Sequence, residues 1–309
     1  MNRLTAIIVN WNGGERLASC VDSVLASDVD VDVVVVDNDS TDGSLKALEE
    51  ETRVRVIQTG ENLGFGRGAN AGVADADTPY VAVMNPDVVV HPDALGRMLG
   101  YLEARADVGL VGPGLDDPDG VGLTTCGFRP RLSDAICRKL LLHLVFPFFR
   151  FRRVRPVGPS EVDWVTGACL VARRDAFTAL DGFDKAIFMY FEDVDLCLRM
   201  KTAGWSVHYV PDARAQHVGG HSSAQAFDRM LVASDRSYRY FTARHLGPAA
   251  ARFLSWMTPM ELLLRSIGWG IAGLIPSRRQ KARTRLRAYR QLLFENLSFS
   301  PDRFRGSAS

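Results

Sequence analysis

Val31-Asp32-Val33-Val34-Val35-Val36 runs directly into Asp37-Asn38-Asp39-Ser40-Thr41-Asp42-Gly43. A short β-branched run bounded by a polar cluster reads as a buried strand, and Asp, Asn, Ser and Gly supply the turn that ends it. The same signature recurs on both sides. Thr5–Val9 is an apolar run broken by Asn10-Trp11-Asn12-Gly13-Gly14; Val54–Gln58 is a third short strand; Tyr80–Met84 is a fourth and stops at Asn85-Pro86-Asp87. Between these strands Leu17–Leu25, Ser44–Glu51 and Asn70–Ala76 read as helix. Strands that alternate with helices build a mostly parallel sheet covered by helices, an α/β, Rossmann-like architecture. Ligands of such sheets bind beyond the carboxyl ends of the strands, where the loops after strands one, two and four fall.

Beyond residue 115 the alternation loosens. Asp116-Asp117-Pro118-Asp119-Gly120 is a turn cluster, and Ser133–Phe151 is a very apolar stretch with helical character that runs into Arg150, Arg152, Arg153 and Arg155. Val162–Arg173 contains a strand entered through a tight Thr166-Gly167 turn, and Val207–Val210 is a further strand. The segment Phe188-Met189-Tyr190-Phe191-Glu192-Asp193-Val194-Asp195-Leu196-Cys197-Leu198-Arg199-Met200 sets three acids among apolar residues. Acids are rarely buried unless paired, metal-bound or chemically used. The apolar spacing after Asp195 places the acids where a loop becomes a helix, so helix capping and catalysis are both open readings.

Charge is distributed unevenly. The whole chain of 309 residues is close to neutral, yet residues 236–309 hold 14 Lys/Arg against 3 Asp/Glu. An acidic body with a basic tail suggests a surface-binding tail on a catalytic body. Cys20, Cys126, Cys137, Cys169 and Cys197 show no paired spacing, so neither a zinc site nor a disulfide scaffold is indicated. The opening residues MNRLTAIIVNWN contain no cleavable apolar core, so a cytoplasmic location is expected. No uncharged apolar run reaches the ~20 residues of a spanning helix.

Seven strings, IIVNWN, VVVDNDSTDGS, NLGFGRGANAG, NPDV, WVTGACLVARR, FMYFEDVDLCLRMKTAGW and HVGGHS, resemble in the same order the family 2 glycosyltransferases of the GT-A fold, specifically the bacterial rhamnosyltransferase-like branch, over about residues 4–223. The resemblance implies two halves of one GT-A domain, residues 1–115 for the nucleotide sugar and 116–235 for the acceptor and catalysis, followed by a basic helical region, 236–309. The QxxRW motif of processive members is absent, which implies the addition of one sugar.

The resemblance also implies roles. Asp193 matches the catalytic base that deprotonates the acceptor hydroxyl, with Glu192, Asp195, Trp164, Thr166 and Gly167 supporting it or binding acceptor. Asn10, Trp11, Asp37, Asn38, Asp39, Asn62, Gly66, Arg67, Asn70 and Asn85 match donor-side positions: Trp11 stacks on the base, and the glycine-rich loop from Asn62 presents backbone N–H groups to the diphosphate. Without the resemblance, Trp11 reads as core before base platform, Asp37–Asp39 as an Asx turn that can coexist with binding, and Arg67 equally as a solvated cation. Asn85-Pro86-Asp87 stands where the family has DxD, with the first acid replaced by Asn. Asp87 then holds Mg²⁺ or Mn²⁺, His217 completes the coordination, and His221 ranks below it.

The implied donor is a nucleotide diphosphate sugar, dTDP-L-rhamnose first. The implied acceptor is a polyprenyl-diphosphate-linked saccharide such as GlcNAc in cell-wall linker or surface-polysaccharide synthesis. The alternatives are transfer of galactofuranose or mannose from a UDP or GDP donor, and a silent nucleotide-sugar-binding protein. A membrane-associating C-terminal region on the cytoplasmic face of the plasma membrane follows from Thr258-Pro259-Met260-Glu261 read as a capped helix start, the apolar run Leu262–Ile275, and then Arg278, Arg279, Lys281, Arg283, Arg285, Arg287 and Arg290 with no acid among them. The partner there is an anionic membrane surface. No nucleic-acid partner is expected, and a homo-oligomer stays open.

Overall fold

The structure is a computed structural model that describes residues 3–144, 152–219 and 227–297. In chain order its elements are β1 (Leu4–Asn10), α1 (Glu15–Leu25), β2 (Val31–Asp37), β3 (Val54–Gln58), α2 (Phe65–Ala74), β4 (Tyr80–Met84), β5 (Val88–Val90), α3 (Ala94–Glu103), β6 (Val108–Asp116), β7 (Cys126–Gly127), α4 (Leu132–Lys139), β8 (Arg153–Val154), β9 (Ser160–Val162), β10 (Trp164–Val165), β11 (Cys169–Arg173), α5 (Arg174–Ala179), α6 (Glu192–Thr202), β12 (Ser206–His217), α7 (Phe227–His245), α8 (Pro248–Ala272) and α9 (Arg279–Leu297). They form two compact units. The described parts of 3–129, 153–188 and 192–219 make the first, and those of 130–144, 152, 189–191 and 227–297 make the second.

The first unit is built on a sheet ordered β3-β2-β1-β4-β11-β6-β12-β5, with β9 beside β12. β3, β2, β1 and β4 are all parallel, β11 runs antiparallel to both of its neighbours, and β12 is parallel to β6 but antiparallel to β5. Strand side chains alternate between the two faces, and both faces are covered here. Leu4, Ala6 and Ile8 enter one apolar cluster with α1 and α3, while Ile7 and Val9 enter the other with α2 and α6. Burial on both faces is why β1 and β2 read as unbroken apolar runs. Chain order reverses beside β1, so the loops after β1 and β4 open at a topological switch point. A smaller sheet, β10-β7-β8, lies in the same unit.

The elements between Val88 and Asp116 carry weak local signals. β6 contains Gly109, Gly112, Pro113 and Gly114, residues depleted from strands. A Cβ at Gly112 would stand 2.7 Å from Val165 Cβ, and one at Gly109 would stand 2.9 Å from Trp205 Cβ. Packing neighbours occupy the space that a side chain would take, so the glycines belong to the strand. Elsewhere Ser44–Leu48 is a single 3₁₀ stretch, and α2 begins five residues before the expected Asn70, at Phe65. The helix expected over Ser133–Phe151 stops at Lys139, followed by a 3₁₀ turn at Leu142–Leu144; the rest of that stretch lies outside the described residues.

The second unit is helical. Ala135, Tyr238, Leu254 and Met257 form one apolar cluster, and Val232, Leu262, Tyr289 and Leu292 form another. The helix start expected at Thr258 is corrected. α8 begins ten residues earlier, after Gly247 (φ 93°), with Pro248 at its first position and Pro259 inside it. Thr258 and Glu261, one turn apart, face inward. Lys139 Nζ donates to Thr258 Oγ1 at 2.8 Å and pairs with Glu261 at 2.9 Å, and Arg265 reaches the same carboxylate at 2.8 Å. Burial pushes the Glu261 carboxyl up, but Lys139 and Arg265 outweigh it and hold the group below its usual range. The Thr-to-Glu spacing therefore serves a buried lysine and not a cap. The opposite side of α8 and its exit expose Phe253, Trp256, Met260, Leu263, Ile267, Ile271 and Leu274 at helical spacing, with Trp256 78 % and Leu274 75 % exposed. No helix among the described residues is long and apolar enough to cross a membrane.

Candidate active site

The loop after β1 is tied to the loop after β2. Asn10 is fully buried, and its Nδ2 donates to Asp37 Oδ1 at 2.7 Å, Ser44 Oγ at 2.9 Å and Ser40 Oγ at 3.0 Å. Asn38 donates to Gly64 O at 3.1 Å, which ties the β2 loop to the glycine-rich loop. Asn10, Asp37 and Asn38 are thus braces that fix the cleft wall. Asp39, at φ 62°, is exposed, and Trp11 is partly exposed at the tip of β1; these two present themselves outward.

The glycine-rich loop opens α2. Gly64 N–H donates to Asn62 Oδ1 at 2.9 Å. A Cβ at Gly64 (φ 82°) would overlap the Phe188 carbonyl oxygen, to which Phe65 N–H donates at 3.2 Å. Only glycine allows this approach, which brings the α2 N-terminus against the segment leading into the acidic motif. Gly66 packs on Phe183, and Arg67 is exposed. Asn70, expected on the donor side, spends both ends of its amide on the Phe183 backbone, donating to its O at 2.8 Å and accepting from its N–H at 2.9 Å. It holds the turn before the acidic motif.

The three acids of α6 divide into distinct environments. Asp195 is fully buried and accepts from Arg199 Nε at 2.7 Å; the same guanidinium donates to the carbonyls of Leu180 and Gly182. Asp195 therefore acts inward, through an arginine whose part the sequence reading did not find. Glu192 is buried, and its Oε2 has no hydrogen-bond partner among the described residues. Asp193 is only partly buried; its Oδ2 accepts from Gly167 N–H at 2.7 Å and its Oδ1 from Val194 N–H at 2.8 Å. A Cβ at Gly167 would stand 3.2 Å from Asp193 Cβ, so the strand turn Thr166-Gly167 is shaped to receive this carboxylate. Burial pushes the Asp193 carboxyl up, with the Gly167 and Val194 N–H groups and the charge of Arg153 opposing. Trp164 is buried, with Nε1 donating to Phe128 O at 3.1 Å, and supports the same turn from behind.

Burial, and then the charge of Asp193, push Glu192 up from the ordinary 4.5 to about 8. The folded chain then binds more protons than the unfolded chain between these values, so stability falls as pH rises across that window. Glu192→Gln is expected to flatten the dependence and to gain stability at pH 8 relative to pH 5. Denaturant unfolding at both pH values checks this, and a wild-type slope in the variant would show that Glu192 is already ionised in the fold.

The expected meeting of Asn85, Asp87 and His217 is present. His217 Nε2 lies 3.3 Å from Asp87 Oδ1 and 3.5 Å from Asn85 Nδ2, while Asp87 Oδ2 accepts from Gly219 N–H at 3.0 Å. β12 delivers His217 opposite Val88 in register, one residue beyond Asp87. Burial pushes the Asp87 carboxyl up, but the His217 ring and the Gly219 N–H outweigh it and hold the group below its usual range. His221 lies outside the described residues. No group of three or more His, Cys, Asp or Glu with metal-site geometry occurs among the described residues. One carboxylate, one imidazole and one amide nevertheless suit a hard divalent ion that takes its remaining oxygens from water and a ligand's phosphates. A backbone link joins this loop to the acid: Asn85 N–H donates to Ala168 O at 2.9 Å, and the preceding residue, Gly167, holds Asp193.

Comparison with known proteins identifies the family and the fold. The family description "Glycosyltransferase like family 2" matches residues 2–233. The chain is similar to N-acetylglucosaminyl-diphospho-decaprenol L-rhamnosyltransferase of Mycobacterium tuberculosis, 35% identical over 301 residues that cover 90% of this chain and 96% of that one. It is similar to rhamnosyltransferase WbbL of Escherichia coli, 27% identical over 78% of this chain and 93% of that one. Among solved structures, a mannosyltransferase from Pyrobaculum calidifontis in complex with GDP-Man and Mn²⁺ aligns with a TM-score of 0.55 at 16% identity, over 96% of this chain and 87% of that one, which establishes the shared GT-A fold. With the order of motifs, the switch-point loops and the family match in agreement, this chain belongs to the family 2 glycosyltransferases.

Proposed function

We propose that this glycosyltransferase moves L-rhamnose from dTDP-L-rhamnose to a polyprenyl-diphosphate-linked GlcNAc, in cell-wall linker or surface-polysaccharide synthesis. The observation that carries the catalytic part is the link Asp193–Gly167–Ala168–Asn85, which seats a partly exposed carboxylate beside the loop of Asp87. Support for the sugar and acceptor comes from the mycobacterial relative, whose name specifies both an L-rhamnosyl transfer and a diphospho-decaprenol.

In this reading Trp11 and Asp39 meet the base and ribose, on a wall braced by Asn10, Asp37 and Asn38. The N-terminus of α2 and Arg67 face the diphosphate. Asp87 and His217, with Asn85, would hold Mg²⁺ or Mn²⁺, which offsets charge on the departing nucleoside diphosphate. Asp193 takes the proton from the attacking hydroxyl while the new C–O bond forms, and a single displacement inverts the anomeric centre. The raised proton affinity of Asp193 suits a base that must accept a proton and then release it. A panel of nucleotide sugars offered with a GlcNAc-diphospho-prenyl acceptor tests the assignment, with consumption of dTDP-L-rhamnose expected. Transfer from UDP-galactofuranose or GDP-mannose instead would move the reading to those donors, and binding without turnover of any donor would leave a binding protein.

The second unit is assigned to an anionic membrane surface on the cytoplasmic face. The exposed apolar stripe from Phe253 to Leu274 supports this, as do the exposed Arg278, Arg279, Lys281, Arg283, Arg287 and Arg290 that follow it. Each cation adds about 1 kcal/mol near an anionic leaflet. The protein is expected to co-sediment with phosphatidylserine-containing vesicles at low salt, and replacement of Arg278, Arg279, Lys281 and Arg283 by Glu is expected to release it. Equal binding to neutral vesicles would leave only the apolar stripe, and no binding at low salt would remove the assignment.

A further inference from the structure

A cavity in the first unit lies where Gly114, Leu115 and Asp116 of β6 pair with the Arg214 end of β12. It has a volume of about 280 Å³ and is lined by Asp116, Gly122, Arg155, Tyr209, Pro211 and Arg214, among others. Its charges are unequal. Arg214 is paired with Asp116, whereas Arg155 has no ion-pair partner among the described residues. Gly122 makes room for it: a Cβ there would overlap the Arg155 guanidinium. An exposed arginine directed over a glycine into a cavity with a neutralised second arginine leaves one net positive charge facing whatever enters.

The small sheet connects this cavity to the catalytic acid. β10 leads into Gly167, which holds Asp193; β7 pairs with β10, and β8 pairs with β7 on the other side. Arg153 in β8 acts on the Asp193 carboxyl through its charge, and Arg155 follows two residues later, just past the end of β8. Two strand spacings separate β8 from β10, about 10 Å. That is the span from a sugar hydroxyl across its ring to an anomeric diphosphate. Planar guanidinium groups recognise phosphate oxygens through paired N–H donors.

We propose that Arg155 and its cavity bind the diphosphate of the acceptor, so that the sugar of a prenyl-diphosphate glycan reaches Asp193 while its diphosphate end, which stays attached throughout the transfer, rests just beyond β8. The inference rests on the acceptor class proposed above and adds the residue that reads it. It sets the acceptor's diphosphate apart from the donor's, which belongs at the α2 N-terminus.

The test measures binding and kinetics separately. Farnesyl diphosphate, with no sugar and no donor present, is titrated into the full chain by calorimetry. Arg155→Ala is expected to weaken binding by about tenfold to a hundredfold, the loss typical of a charge-assisted hydrogen bond. Gly122→Ala, which displaces the guanidinium without removing it, is expected to weaken it in the same direction. In kinetics, Arg155→Ala raises the Michaelis constant for GlcNAc-diphospho-farnesol, leaves that for a GlcNAc alkyl glycoside where it was, and leaves that for the donor where it was. Unchanged farnesyl diphosphate binding in both variants overturns the proposal, as does an equal loss on both acceptors or a loss confined to the donor. Weaker farnesyl diphosphate binding in a protein that transfers no sugar to either acceptor keeps the diphosphate site and instead overturns the acceptor reading. Inorganic pyrophosphate that binds as tightly as farnesyl diphosphate, and is equally weakened by Arg155→Ala, would reduce the site to one for free pyrophosphate and overturn its assignment to a lipid-linked acceptor.

Discussion

Replacing Asp193 with Asn is expected to lower sugar transfer by about 10²–10⁴-fold, the usual loss on removal of a general base, with donor affinity retained. The side chain keeps its size, and its remaining carbonyl oxygen can still accept from Gly167 N–H, now held at 2.7 Å by Oδ2. The cost to folding is one weakened contact, since the amide nitrogen turned toward Val194 N–H no longer accepts. None of the bonds that brace the donor wall, from Asn10, Asn38 or Asn62, passes through Asp193. Donor binding by titration and single-turnover transfer therefore separate the two functions. Turnover near that of the wild type would end the assignment of Asp193 as base, and donor binding lost in parallel with transfer would make the residue a structural one. Neither neighbouring acid is equivalent. Asp195 is committed to Arg199, and Glu192 is buried with its Oε2 unpartnered among the described residues and its carboxyl pushed up by burial and by the charge of Asp193.

That division among three adjacent acids marks where the sequence stops being legible. The apolar spacing after Asp195 correctly places the start of a helix, because helical periodicity is a local property. Which acid faces the cleft depends on Gly167, 26 residues earlier, and on the turn at Leu180–Gly182 that Arg199 clamps. The strands β1, β2, β3 and β4 are legible for a related reason. Burial on both faces writes itself into consecutive β-branched residues, and the turn chemistry of Asn10–Gly14 and Asp37–Gly43 punctuates them. β6 is not legible, because the side chains that fill the space above Gly109 and Gly112 arrive from Trp205 and Val165. α8 misleads for the opposite reason. Thr258 and Glu261 have the spacing of a capping box, and only the buried Lys139, more than a hundred residues away, explains that spacing. Asn70 shows the same limit at the site. Its place in a glycine-rich loop suggests a ligand, and the hydrogen bonds of its amide to the Phe183 backbone reach a partner that local sequence does not announce.

Removal of the divalent ion is expected to stop transfer. Incubation with EDTA should abolish activity, and added Mg²⁺ or Mn²⁺ should restore it. Asp87→Ala should lose transfer by about 10²-fold or more, since a bound cation supplies several kcal/mol of charge stabilisation at the departing diphosphate. No other carboxylate stands in the Asn85-Pro86-Asp87 loop, where a second acid would share the load, so the loss should be steep and excess metal should recover little of it. His217→Ala makes a different prediction, because His217 contacts Asp87 and, in the proposed site, would also bind the ion. Its ring is the leading influence that counters burial and keeps the Asp87 carboxyl below its usual range. Without it the Asp87 pKa rises, so at a given acidic pH less of the carboxylate is ionised and available to the ion. The acid limb of the pH–rate profile should therefore move to higher pH, while activity on the plateau falls less than in Asp87→Ala. Full activity in chelator would remove the metal from the mechanism. A His217→Ala profile with an unmoved acid limb would show that the 3.3 Å approach of His217 to Asp87 carries no charge coupling, and would leave His217 as packing at the end of β12.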